Sequence, residues 1–173
     1  KIVWKNLRKI IQKLGEEEEN YIVYENKKRV KRENRYVPNK STEEKMNKLD
    51  LIPSLYREDE IYINTPETGW RERYYKELFH IEERYEIDKI CHNYLEGLYW
   101  NFHYYYYGCI SWEWSYPYSN PPSYNDIYKY INRFISDINK MDIPKGRPCK
   151  PFEQLLMVLP QQSKSLLPRE VGN

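Results

Sequence analysis

Apolar positions recur at three- and four-residue spacing along much of the chain, the signature of helices with one buried face. Val3, Leu7, Ile10, Ile11 and Leu14 predict a helix over residues 1–14, with Gly15 as its C-terminal cap. An acidic block, Glu16–Glu19, and a Tyr-Ile-Val-Tyr patch follow. Residues 25–48 carry Lys27, Lys28, Arg29, Lys31, Arg32 and Arg35 and read as a charged linker or an exposed helix. The functional alternative for that run is a phosphate-contacting arm. Residues 49–68, with Pro53 and Pro66, are expected to be an irregular connection.

Trp70, Tyr74, Leu78 and Ile81 predict a second helix from about Thr68. The longest helix is expected over Ile87–Tyr106, where Ile87, Cys91, Tyr94, Leu98, Phe102 and Tyr105 keep one face. Gly97 lies inside it. A mid-helix Gly costs about 1 kcal/mol against Ala, so close approach of another backbone is the expected reason. Gly108 ends the helix. Pro117, Pro121 and Pro122 prevent residues 110–123 from being helical throughout. That segment reads as an ordered, aromatic-rich loop. Ser123 caps a helix over residues 124–139, with Ile127, Tyr130, Ile131, Phe134 and Ile138 facing inward. A Pro/Gly linker spans 142–150. Pro151 opens a short helix with Phe152, Leu155, Leu156 and Leu159 on its apolar face, stopped by Pro160. Residues 161–173 read as a tail that docks on something outside this chain. The fold class is therefore mainly α: one irregular helical domain, residues 1–173, with an ordered aromatic and proline-rich loop.

Composition narrows the class. At 173 residues the chain is long enough for one domain with a real core. A formal net charge of +2 is too balanced to argue for nucleic acid by itself. Charged residues make up 31% and the sequence has no run of about 18 apolar residues, so no membrane span is expected. No signal peptide is visible. Cys91, Cys109 and Cys149 are an odd set without a CxxC pair, which suits a reducing intracellular compartment, cytoplasm or nucleus. Alanine is absent. Protein physics gives no reason for that; an AT-rich genome, as in some protists and large DNA viruses, does. The chain lacks an initiator Met and starts within an amphipathic pattern, as expected of a piece of a longer protein.

The candidate chemistry is concentrated in residues 94–118, YLEGLYWNFHYYYYGCISWEWSYPY. Clustered rings suit a nucleic-acid site, because every base offers a face for stacking. The candidate nucleic-acid-binding residues are Trp112, Trp114, Tyr116 and Tyr118. On an extended segment Trp112 and Trp114 point to opposite sides, so one is expected in a cleft and the other in the core, with Trp112 the preferred cleft residue. The competing reading is that both only pack the loop onto helices. Tyr104–Tyr107 span one helical turn, so at least one is expected in the core and one exposed. His92 and His103 lie about 16 Å apart along a helix axis and cannot share a metal. Cys91 reads as a buried small hydrophobe. The acidic runs, Glu16–Glu19, Glu43-Glu44, Glu58–Glu60 and Glu82-Glu83, read as solvating charge. Glu96, beside Gly97, is the exception and is expected to hydrogen-bond internally. No catalytic residue and no metal ligand is assigned to this chain.

The 94–118 segment resembles a signature of the XRN family of 5′→3′ exoribonucleases, in the second conserved or helical region. Residues 148–160, PCKPFEQLLMVLP, are similar to a second family stretch, and Tyr74-Tyr75-Lys76 looks like the family's approach to the long helix. Ser115 and the Ser119-Asn120-Pro121 run depart from the pattern, standing where the family has an aromatic and His-Tyr-Ala. The resemblance implies a fragment that packs on an α/β nuclease region outside this sequence. That region would supply the metal-binding carboxylates and Mg2+. The partner implied is single-stranded RNA with a 5′-monophosphate, and the role implied is an aromatic wall at its entry. The departures keep two rivals in view: a non-catalytic RNA-binding relative, and a structural or interaction protein of viral origin built on the same fold.

Overall fold

A computed structural model describes residues 1–33, 36–55, 57–81, 83–166 and 168. Seven α-helices and one 3-10 helix account for its regular structure, and the described residues contain no strand. The helices are α1 (Trp4–Glu33), α2 (Thr42–Leu55), α3 (Glu58–Ile63), α4 (Trp70–Phe79), α5 (Arg84–Tyr107), α6 (Tyr124–Ile138) and α7 (Pro151–Val158); the 3-10 helix is Gln161–Leu166. The chain forms two compact units. The first comprises Lys1–Leu95 and Pro117–Met141, the second Glu96–Tyr116 and Asp142–Asn173. Helix α5 contributes its N-terminal part to the first and its C-terminal part to the second.

Helix α1 does not stop at Gly15, as the sequence reading expected, but continues to Glu33. Its buried positions Trp4, Ile11 and Gly15 continue through the partly covered Glu18 and Ile22 at steps of three and four. This seam packs along α6. Gly15 is a point of close approach: a Cβ there would lie 3.0 Å from Asn125 Oδ1. The Asn125 side chain donates to the Gly15 carbonyl at 2.9 Å. The charged segment 25–48 divides into the end of α1, non-helical residues 36–41 and the start of α2. The irregular connection expected over 49–68 is largely helical, because α2 reaches Leu55 and α3 follows at Glu58. Ser41 opens α2 with a capping box: its Oγ accepts from Glu44 N–H, and the Glu44 carboxylate accepts from Ser41 N–H.

Helices α4 and α5 and residues 117–141 build the core of the first unit. Tyr75, Phe79 and Ile90 form one buried cluster, with Ile87 and Tyr118 packed against it. Ile127, Ile131 and Ile138 of α6 and Cys91 of α5 are buried as the periodicity predicts; Leu95 of α5, outside the predicted face, is buried too. Phe134 is only half-buried, and α6 departs from helical geometry at that residue. Ser123 caps α6 by accepting from Asp126 N–H at 3.2 Å. Tyr75 Oη donates to the Asp126 carboxylate at 2.9 Å and accepts from Ser123 N–H at 3.1 Å. Glu18 of α1 completes the cap, accepting from Tyr124 N–H at 2.7 Å. The reading of Glu16–Glu19 as solvating charge therefore fails at Glu18, whose carboxylate meets the positive end of α6. Burial raises its pKa, against the lowering effect of the Tyr124 and Asn125 N–H groups and Arg71.

The second unit begins on α5 at Glu96. Gly108, at φ +90°, ends that helix with its N–H on the Tyr104 carbonyl at 3.1 Å. Residues 109–123 are coil, as the prolines require. Helix α7 starts at Pro151, with Glu153 accepting from Lys150 N–H at 2.8 Å. Of the tail expected over 161–173, residues 161–166 form the 3-10 helix; residues 167 and 169–173 lie outside the described residues.

Candidate nucleic-acid interface

Ser111 organises the aromatic loop. It is 2% exposed. Its Oγ donates to the Pro144 carbonyl at 2.7 Å and accepts from Trp114 N–H at 3.2 Å. The Ser111 carbonyl accepts from Trp100 Nε1 at 2.9 Å. One residue on, Trp112 N–H donates to the Lys145 carbonyl at 2.8 Å. The backbone carrying the two tryptophans is thus tied on both sides to α5 and to residues 144–145.

Within that frame the two rings have different surroundings. Trp114 lies against α5, where a Cβ on Gly97 would come within 2.8 Å of its Cη2. The close approach expected at Gly97 is therefore real, but its partner is an indole ring rather than a backbone. Trp114 Nε1 donates to Glu96 Oε2 at a long 3.4 Å, which gives Glu96 the internal partner the sequence suggested. Trp114 stacks on Trp100 at a centroid distance of 6.3 Å, and Trp100 on Tyr104 at 5.0 Å. Trp112 is 53% exposed. The two rings thus differ in exposure: Trp114 is half-buried against α5, and Trp112 is open on a pinned backbone.

The remaining sequence candidates separate. Tyr116 belongs to the second unit and is half-buried. Tyr118 belongs to the first unit and packs on Phe79 at 5.6 Å. The expectation that one of Tyr104–Tyr107 is core fails: all four are exposed, Tyr104 least at 48%. At the end of α5 these side chains meet rings of their own helix, as in Phe102–Tyr106 and His103–Tyr107. Helix α7 likewise exposes Phe152, Leu155, Leu156, Met157 and Val158. The apolar face legible in the sequence exists, and nothing described in this chain covers it.

No cluster of three or more His, Cys, Asp or Glu side chains suited to a metal occurs among the described residues. His92 Nδ1 pairs with Tyr130 Oη at 2.9 Å inside the first unit. Cys91 is fully buried, and burial pushes its thiol pKa well above the usual range. Glu60, another acidic-run residue, pairs with Arg29 and Arg57. Among the described residues no helix is long and apolar enough to cross a membrane.

An all-helical domain with a pinned aromatic loop is the class that fold and site define. Residues 2–172 match the family described as the Xrn1 helical domain, and the chain belongs to that family. Named relatives agree. The chain is similar to 5′-3′ exoribonuclease 2 of Arabidopsis thaliana, 41% identical over 117 residues, covering 64% of this chain and 11% of that protein. It is 44% identical over 109 residues to 5′-3′ exoribonuclease 2 of Gibberella zeae, covering 59% of this chain and 10% of that protein. The Schizosaccharomyces pombe protein of the same name is 41% identical over 109 residues, 61% of this chain and 10% of its own length. The chain thus spans about a tenth of the length of the curated relatives it matches.

Proposed function

We propose that this chain is the substrate-facing helical part of an intracellular 5′→3′ exoribonuclease acting on single-stranded RNA with a 5′-monophosphate. In this reading Trp112 stacks on a leading base, and Trp114 is the buttress that holds the loop. The observation that carries it is the exposed Trp112 indole on a backbone tied down at Ser111 and Lys145. A stacking platform needs that combination of open ring face and rigid support. Tyr116, half-buried on the same loop, is a secondary contact; Tyr118, packed on Phe79, serves the first unit before it serves RNA.

The metal-binding carboxylates and Mg2+ belong, in this reading, to an N-terminal nuclease region outside these residues. The exposed apolar face of α7 and the exposed Tyr104–Tyr107 support packing against such an α/β region, because apolar surface of that extent favours burial. A non-catalytic RNA-binding relative is the second reading, favoured by Ser119-Asn120-Pro121 in place of His-Tyr-Ala.

The test pairs two variants in the full-length protein. Trp112→Ala is expected to weaken capture of 5′-phosphorylated RNA by about 1–3 kcal/mol with melting temperature almost unchanged. Trp114→Ala is expected to lower the melting temperature. Equal loss of stability in both, with no selective loss of RNA affinity, would reduce the aromatic loop to packing. Intact RNA capture without mononucleotide release by the parent protein would favour the second reading.

A further inference from the structure

A second concave surface lies wholly within the first unit. Parts of α1, α3, α4, Tyr94 of α5 and residues 120–124 line an open cleft of about 900 Å³. Its lining is in part apolar and aromatic, with Trp70, Tyr74, Leu78 and Tyr94. It is also acidic, with Glu17, Glu18, Glu25, Asp59 and Glu60 beside a single Arg29. Arg29 is engaged with Glu60, Glu25 with Lys28, and Glu18 with the start of α6. Glu17 and Asp59 are exposed and have no ion-pair partner among the described residues. The Thr65 hydroxyl, also in the lining, is buried with no hydrogen-bond partner among the described residues.

Two chemistries therefore meet at one place. The aromatic lining favours an apolar or aromatic side chain, and the carboxylates of the same lining favour a cation beside it. A phosphate chain entering here would meet like charge. The volume suits a few residues of polypeptide. We infer that this cleft is a docking site for a partner polypeptide segment in which Lys or Arg neighbours an aromatic or leucine side chain, separate from any RNA contact made by Trp112.

The experiment uses the full-length protein and fluorescein-labelled peptides of about twelve residues, one alternating Lys with Leu and Phe, one with Glu replacing every Lys. Polarisation is expected to show saturable binding of the basic peptide and none of the acidic one. Glu17→Lys combined with Asp59→Lys, both on exposed side chains, is expected to weaken the basic peptide about tenfold or more while leaving affinity for 5′-phosphorylated RNA unchanged. The inference is overturned if the basic peptide does not bind, if both peptides bind alike, or if the charge reversal has no effect. Displacement of the peptide by a short polyamine alone would assign the cleft to small cations and overturn it too. A gain in RNA affinity on charge reversal would place the cleft on the RNA path, against the inference. None of these outcomes depends on the Trp112 result.

Discussion

The two units are held together by different physics. The first buries a conventional core, including Ile90, Leu95, Ile127 and Ile131, each at most 1% exposed. Among the described residues the second has one buried apolar side chain, Ile143. It relies instead on Ser111 hydrogen bonds, the Trp114–Trp100–Tyr104 stack and the space left by Gly97. Apolar burial therefore supplies much of the first unit's stability, at about 25 cal/mol per Å² of apolar surface. The second keeps its rings and the α7 face outward, where they remain open to other molecules. Exposed rings on a fixed backbone are what a stacking surface needs; an inward-facing core would have consumed them.

The largest test of this contrast is a matched pair of truncations. Ile131→Ala in the first unit is expected to cost about 2–5 kcal/mol, since it opens a cavity where side chains are fully enclosed. Leu155→Ala on α7, 40% exposed, is expected to change stability by no more than about 0.5 kcal/mol in this chain. Urea unfolding followed by circular dichroism measures both. Comparable losses would mean that α7 is not the uncovered face described above.

Gly97→Ala probes the support of the aromatic loop. Alanine improves helix propensity by about 1 kcal/mol, but its Cβ would sit 2.8 Å from Trp114 Cη2. Overpacking costs about 1–3 kcal/mol, so a net loss of about 1 kcal/mol is expected. Displacement of Trp114 should also change tryptophan fluorescence and near-UV circular dichroism. A variant as stable as the parent with unchanged spectra would remove the buttress from the account of Trp112.

The smallest expected effect is the pH response of Glu18. Burial raises its pKa in the fold, chiefly by desolvation. Its stabilising contribution is therefore complete below the ordinary Glu range and is lost as pH rises through the raised value. Glu18→Gln does not titrate there. As pH rises from the ordinary Glu range through the raised value, the parent should lose stability relative to this variant. A relative gain would mean that the α6 N–H groups and Arg71 outweigh burial.

Local sequence determined the elements whose signals are local. Periodicity marked α5, Ser123 and the inward isoleucines marked α6, and Pro117, Pro121 and Pro122 marked the coil. The ring-rich 94–118 segment carried the family resemblance. The Ser41–Glu44 capping box was equally legible and would have revealed α2, but the charge around it obscured the signal. What sequence could not decide depends on partners far along the chain. Gly15 looks like a helix end until Asn125 is placed against it, 110 residues away, and Glu18 looks solvated until it meets the start of α6. Spacing by two left open whether Trp112 and Trp114 differ at all, since an irregular loop need not alternate. Tertiary structure made the choice: Gly97 lacks the Cβ that would exclude an indole, and Glu96 offers that indole an acceptor, so Trp114 packs and Trp112 stays open.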